Sequence, residues 1–350
     1  MFLKNQWYAA ALPQELGATP LARTICGEPI VMFRTESGKP AALADRCPHR
    51  YAPLSAGRCA GETIACGYHG IEFDPSGACA LIPHQEHIPD RMRVRAYPLV
   101  ERWGWAWIWL GDPAAADPDA IPAFEWFGQP EWRSFHRHYY VKANWELCAD
   151  NLLDLSHTPF IHPKTVGVPE MAKLPVKTWV EGDKVIQQRV MHQVTPSGFV
   201  AEWGSFKGKI DRRATVEWTP AANMAAELVY FDPTNSITLR LTNPVTPETE
   251  RTTHVWFAWS RNFGSASDED AYARRFQEQS FAVMAEDVSF MEIQQAAIDR
   301  GDDFEPVAIK ADATLIHARR IVERLLRDER EGAPPRAQAR PRPKQRRRSA

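Results

Sequence analysis

Six cysteines in 350 residues are too few to staple a chain of this length, which excludes a disulfide scaffold and leaves them as metal ligands or buried thiols. No run of eighteen apolar residues occurs, so no segment reads as a membrane-spanning helix. The N-terminus, MFLKNQWYAAALPQELG, lacks a basic region followed by a long apolar stretch; no signal peptide is expected, and a cytoplasmic location is. Net positive charge is missing from the body of the chain, because the formal −2 divides into +7 over residues 334–350 and −9 over the rest. An acidic body argues against general nucleic-acid binding, so neither nucleic acid nor membrane is expected as a partner. The tail PPRAQARPRPKQRRRSA has too little apolar surface to offset the entropy of ordering it. Residues 331–350 are therefore expected to form a disordered basic extension that activity does not need.

The length allows two domains, each with its own core. The stretch NWELCADNLLDLSHTPFIH, 144–162, sets Asp150, Asp154, His157 and His162 among leucines. Trp145 through Leu155 has no Gly or Pro and predicts a helix, on which Asp154 and His157 share a face. Pro159 is expected to end or kink that helix, with His162 folding back from a loop toward His157. Two imidazoles joined by one carboxylate, with open neighbouring positions, suit non-haem Fe(II).

The N-terminal part carries a second set of soft ligands. PIVMFRT, ESGK and PAALAD predict a hairpin turning at Ser37-Gly38. Two loops follow, CPHR at 47–50 and CGYHG at 66–70, each offering one thiolate and one imidazole: Cys47 and His49, Cys66 and His69. Zinc and iron–sulfur clusters both use such ligands, but a Cys2His2 finger keeps its cysteines together and its histidines together. One Cys and one His per loop suits a [2Fe–2S] cluster of the Rieske kind, with both cysteines on one iron and both histidines on the other. Pro48, Gly67 and Gly70 suit tight loops around it. In RWGWAWIWLGD, 102–112, Trp103, Trp105, Trp107 and Trp109 alternate with smaller or aliphatic residues, the period of a strand, and read as core. GDPAAADPDAIP, 111–122, marks the linker.

Beyond it, 132–142, 176–190, 198–208, 214–219 and 226–241 read as strands of one large antiparallel sheet with turn signals EGDK, TPSG and DPTN, and 236–242 and 253–260 as two further strands. From Ser267 to about Arg300 the pattern is helical, with Phe281, Met284, Val288 and Met291 on an apolar face. Asp287 lies on that face, whereas Glu286, Glu292 and Asp299 are freer to point into solvent. An Asp aimed at a core costs several kcal/mol unless it is paired or binds a metal, which makes Asp287 the candidate third iron ligand.

With both sets of residues in hand, the chain resembles the Rieske non-haem iron aromatic-ring oxygenases over nearly its whole length. The family pattern N-x-x-D-x-x-H-x-x-x-x-H falls on Asn151, Asp154, His157 and His162. The chain length, NLLDLSHTPFIH and SRNFG look most like the vanillate and dicamba O-demethylase group. The respiratory Rieske type has an extra disulfide-forming cysteine close behind each ligand loop; Cys59 and Cys79 lie too far away for that and, with Cys26 and Cys148, are left as core thiols. The resemblance implies an α+β fold: residues 1–112 as an all-β Rieske domain and 113–330 as a helix-grip catalytic domain, an antiparallel sheet with a long C-terminal helix. It implies cluster ligands Cys47, His49, Cys66 and His69, iron ligands His157, His162 and Asp287, and three chains in a ring. Asp154 would be the catalytic carboxylate that bridges to a cluster histidine, His69, of the neighbouring subunit. Electrons would come from NADH through a separate flavin and iron–sulfur reductase or ferredoxin. The expected reaction is O2-dependent hydroxylation or O-demethylation of a methoxylated aromatic carboxylate such as vanillate, with Asn223 and Asn243 as weak candidates for contacts to the substrate carboxylate. Alternatives are ring dihydroxylation, N-demethylation, hydroxylation of a sterol or quaternary amine, or a Rieske electron carrier with a ligand-binding domain. The carrier would hold two irons per chain and the oxygenase three.

Overall fold

The computed structural model describes residues 1–221, 223–265, 270–301 and 305–332. The expected tail from 333 onward, and Ser267 at the expected start of the long helix, lie outside those residues.

The N-terminal strands are short because Gly and Pro punctuate them every few residues. They form three antiparallel sheets: a three-stranded one in the order Trp7–Ala11, Trp105–Trp109, Leu99–Arg102, and two four-stranded ones. The first four-stranded sheet contains the expected hairpin, Glu28–Arg34 with Pro40–Ala44, and Gly38 in its turn has φ +86°. The second runs Arg58–Ala60, Thr63–Ala65, Glu72–Phe73, Cys79–Leu81 and carries the ligand loops at its end.

The described residues of the second half form a seven-stranded antiparallel sheet, in the order Arg133–Val141, Thr253–Arg261, Ser236–Pro247, Asn223–Phe231, Ile210–Thr219, Lys184–Val194, Lys177–Glu181. Alternation decides its two faces. In Lys184–Val194, Val185 and Met191 are buried while Val190 is exposed, and in Ile210–Thr219, Ile210, Val216 and Trp218 are buried. This inward face packs against the helices Trp145–Leu153, Ala271–Ile298 and Ala313–Arg330 through Phe276, Met284, Met291, Ile321 and Leu325. Full burial of each such side chain contributes about 1.5–3 kcal/mol. Three inward positions on these strands are not apolar: Gln187, Arg189 and Arg212 are buried among them.

The tryptophan stripe is core, and that core is shared between the two halves. Trp105, Trp107 and Trp109 pack with Trp7, Phe124 and Trp126 on Trp256 and Ala258, in the strand Thr253–Arg261. Hydrogen bonds from Thr246 Oγ1 to the Ala9 carbonyl (2.7 Å) and from the Cys26 N–H to the Pro247 carbonyl (2.7 Å) reinforce the junction.

Three local expectations change. Residues 198–208 are not a strand: Gly198–Gly204 is a helix, started by Ser197, whose hydroxyl accepts from the Val200 N–H. Phe199, Val200 and Trp203 then share a buried helical face. The segments 176–190 and 226–241 each span two strands, Lys177–Glu181 with Lys184–Val194, turning at Gly182 with φ +62°, and Asn223–Phe231 with Ser236–Pro247. The helix that begins at Trp145 ends at Leu153, with Asp154 in extended conformation as its C-cap. Asp154 and His157 therefore share no helical face, and Pro159 starts a second, four-residue helix, Thr158–Ile161, instead of ending the first.

Candidate metal centres

In the two ligand loops, Cys47 and Cys66 are almost completely buried, while His49 and His69 are exposed at the tip. Their imidazole centroids lie 4.5 Å apart, edge to face. Each loop is closed on its own cysteine carbonyl: the Tyr51 N–H donates to Cys47 and the Gly70 N–H to Cys66, both at 2.9 Å. Glycine is required where the loops meet. A Cβ on Gly67 would lie 2.5 Å from the Ala56 carbonyl oxygen, and one on Gly57 2.0 Å from that of Ala65. Burial, and then the neighbouring Cys66 thiol, push the Cys47 thiol above its ordinary range, so a nearby cation is needed to hold that sulfur as a thiolate. Among the described residues these four side chains do not close on a single point as ligands of one ion must. Buried sulfurs on one side and exposed imidazoles on the other fit a two-iron cluster and not a lone zinc. Cys26, Cys59, Cys79 and Cys148 are free thiols.

His157, His162 and Asp287 do converge: one ligand atom of each lies within 4.8 Å of the others. Asp287 Oδ1 is 3.1 Å from His162 Nε2 and 3.5 Å from His157 Nε2. Donors about 2.1 Å from one metal at right angles are roughly 3 Å apart, so these residues fit a single ion bound on one face. The short helix sets His157 at its N-cap and His162 at its C-cap, and the long helix supplies Asp287 from its buried side. Burial holds His157 below its ordinary pKa despite Asp287 and Asp154. For His162 burial acts in the same direction but is outweighed by Asp287 and Glu286, so the group is raised.

Glu286, expected to be freer to point into solvent, is partly buried and turns toward the site. Its Oε2 accepts from His162 Nδ1 at 2.7 Å and from Thr165 Oγ1 at 3.1 Å. With the proton fixed on Nδ1, Nε2 is left as a lone pair directed at the centre. Asn151 acquires a definite task as well: its Nδ2 donates to Asp287 Oδ1 at 3.1 Å and so orients the carboxylate. Glu292 and Asp299 also find partners, at the Lys142 N–H (3.0 Å) and Gln295 Nε2 (2.9 Å).

Asp154 stands beside the triad. One oxygen accepts from the Ser156 N–H at 2.6 Å and the other is 3.9 Å from His157 Nδ1, a nitrogen with no hydrogen-bond partner among the described residues. The two weak candidates separate. Asn223 is buried and spends its Nδ2 on the Pro220 carbonyl at 3.3 Å, an ordinary turn contact. Asn243 is fully buried with neither side-chain polar atom satisfied among the described residues, which keeps it a candidate for a bound polar group.

The Rieske [2Fe-2S] domain family model matches residues 6–98. The vanillate O-demethylase oxygenase C-terminal domain model matches residues 141–328. A putative toluene-4-sulfonate monooxygenase system iron-sulfur subunit of Comamonas testosteroni is 39% identical, over 96% of this chain and 100% of that one. The dicamba O-demethylase oxygenase component of Stenotrophomonas maltophilia is 36% identical, over 93% and 98%. Among solved structures, dicamba monooxygenase bound to 3,6-dichlorosalicylic acid superposes with a TM-score of 0.87 at 34% identity, covering 94% of this chain and 99% of that one. Dicamba monooxygenase with non-heme iron and dicamba gives 0.81 at 33% identity, covering 95% and 99%. No helix among the described residues is long and apolar enough to cross a membrane.

Proposed function

We propose a reaction and a substrate class from one premise: the chain belongs to the Rieske non-haem iron oxygenases, as an oxygenase component of the vanillate and dicamba O-demethylase type. Its cofactors are a [2Fe–2S] Rieske cluster and a mononuclear iron. In our reading Cys47, His49, Cys66 and His69 hold the cluster, and His157, His162 and Asp287 hold the iron. The observation that carries it is the meeting of two Nε2 atoms and one Oδ1 at 3.1 and 3.5 Å in the interior. The domain boundary falls at 112/113, inside the proline-rich linker.

When bound, the cluster supplies electrons one at a time and the iron supplies reductive activation of O2. The protein's own groups prepare for this. Glu286 keeps His162 in the tautomer that presents Nε2, Asn151 turns Asp287 toward the same point, and burial of His162 and Asp287 keeps bulk water out. The substrate is an aromatic acid carrying a methoxy group, such as vanillate. One oxygen atom of O2 enters the methyl C–H bond, the other leaves as water, and two electrons and two protons are consumed. The resulting hemiacetal separates into a phenol and formaldehyde. The electrons derive from NADH through a separate reductase or ferredoxin, and the site of action is cytoplasmic. The working form is a trimer in which Asp154 of one chain accepts a hydrogen bond from a neighbour's cluster histidine. The exposure of His49, His69 and Tyr68 at the tip, and of Phe160 between the two iron histidines, supports that contact.

A second reading, hydroxylation of an aryl methyl group, is favoured by the 39% identity to the toluene-4-sulfonate relative. Turnover of methoxybenzoates and of toluene-4-sulfonate by the holoenzyme with a surrogate reductase decides between them. Formaldehyde from a methoxybenzoate supports the first, a benzylic alcohol without formaldehyde supports the second, and oxidation of neutral arenes alone refutes both.

A further inference from the structure

The inward face of the catalytic sheet carries two guanidinium groups where alternation calls for apolar residues. Arg189 and Arg212 are only 4% and 8% exposed. They lie on adjacent strands: Arg189 pairs in register with Ala214 and Met191 with Arg212, so the two arginines are diagonal neighbours on one face. The Nε of each is buried without a hydrogen-bond partner, and among the described residues neither group forms an ion pair with a carboxylate. Other arginines of the chain are matched, as in Arg23 with Glu15, Arg319 with Asp150 and Arg324 with Asp183. Arg212 instead has soft neighbours, the Tyr230 ring at 5.2 Å and Met171 Sδ at 3.5 Å.

Two like charges held side by side away from water are unfavourable unless an anion joins them. Burial, and then the charge of Arg212, pull Arg189 down to about 10. Asp154 attracts Arg189 from a distance, but its own oxygens face the Ser156 N–H and His157. Arg212 also lines a small cavity whose other walls include Val168, Val200, Ile210 and Tyr230. Val168 in its wall follows Gly167, whose N–H donates to the His162 carbonyl at 2.9 Å.

We propose that Arg189 and Arg212 form a subsite that takes the acid group of the aromatic substrate, carboxylate or sulfonate, and so holds the ring with its oxidisable substituent toward the iron. This rests on the reading of the substrate as an aromatic acid and adds the residues that select for it. Guanidinium forks match the paired oxygens of both anions, and their buried charge rejects a neutral ring of the same shape. Arg189 and Arg212 are positioning residues for the reaction.

The test uses the holoenzyme and four probes: vanillate and toluene-4-sulfonate, and their neutral counterparts vanillamide and toluene-4-sulfonamide. Affinity is measured by calorimetry, with cluster absorbance and iron content as controls for folding. Arg189→Gln and Arg212→Gln should each weaken the bound acid about 10–100-fold, the loss of a charge-assisted hydrogen bond, and change amide binding less than about 3-fold. In turnover the same variants should raise KM far more than they lower kcat. Loss confined to one of the two acids supports the subsite and identifies its headgroup. Equal losses for acid and amide, or no loss for either acid, overturn it. Should a Gln variant fail to fold, Arg189→Lys and Arg212→Lys keep the charge but not the fork. They should lose part of the preference for acid over amide, and an unchanged preference overturns the proposal. A wild-type enzyme that accepts neutral arenes and neither acid defeats the substrate reading and the subsite together. One that turns over an acid while the Gln variants bind it normally defeats the subsite alone.

Discussion

Replacing Glu286 with alanine should weaken iron at the His157–His162–Asp287 centre although no ligand is touched. The side chain acts through one oxygen, which takes His162 Nδ1 at 2.7 Å and Thr165 Oγ1 at 3.1 Å. A hydrogen bond to a charged partner contributes about 1.5–3 kcal/mol, but the Glu286 side chain is 34% exposed, so water recovers part of it in the variant. About 1.5–2 kcal/mol should remain, or roughly 10–30-fold in affinity, inside the 10–100-fold range usual for carboxylates behind a ligating histidine. Glu286→Gln keeps an acceptor and loses the charge, so about 3-fold is expected. The assay is anaerobic Fe(II) titration of protein depleted of mononuclear iron, with the Rieske absorbance reporting the amount of intact chain. An alanine variant that binds Fe(II) as tightly as wild type would refute the reasoning and return Glu286 to the solvent-facing role its sequence position suggests.

His157→Ala should abolish turnover and mononuclear iron while leaving the cluster spectrum intact, because the two ligand sets are disjoint; loss of both metals would contradict that separation. Cys66→Ser should do the reverse, bleaching the cluster while Fe(II) still binds at the triad. Asp154→Asn should retain both metals and normal cluster reduction yet nearly stop O2-dependent reoxidation in single turnover, and wild-type reoxidation would remove Asp154 from the electron path. Burial pulls His136, His138 and His254 at the domain junction down to about 4, whereas unfolded they titrate near 6.5. The unfolded chain therefore binds more protons between those values, so their contribution is complete above about pH 6.5 and is lost as pH falls toward 4, by up to about 3 kcal/mol per histidine. A urea midpoint that stays level from pH 7.5 to 5.5 would contradict this.

The candidate metal ligands were legible because ligand chemistry constrains residue type and spacing together, as in Cys47-x-His49 and Cys66-x-x-His69. Asp287 was legible because an acid on an apolar helical face needs a reason. Glu286 was not, since it sits one residue round the helix from that face and only the folding back of His162 and Thr165 gives it a partner. The early end of the helix at Leu153 involves no Gly or Pro. Asp154 bonds the Ser156 N–H instead, a local side-chain alternative to another helical turn. At 198–208, apolar residues spaced for a strand could equally form one helical face, and the Ser197 cap decided between them. Arg189 and Arg212 interrupt inward-facing rows of apolar residues, an interruption that carries meaning only once adjacent strands are known to bring them together.

The tryptophan core between the domains limits how such enzymes can be recombined. A Rieske domain transplanted from a relative would bring its own ligand loops intact but would have to present side chains that fill the same space against Trp256 and Ala258. Interiors this closely packed tolerate neither a missing ring nor an extra one, at about 3–5 kcal/mol for a deleted Phe or Trp. The cofactor-bearing half is therefore not a cassette. Exchanges that keep Trp7, the 105–109 strand and the 121–126 segment with the recipient sheet, and swap only the loops around residues 47–50 and 66–70, are the ones expected to yield folded hybrids.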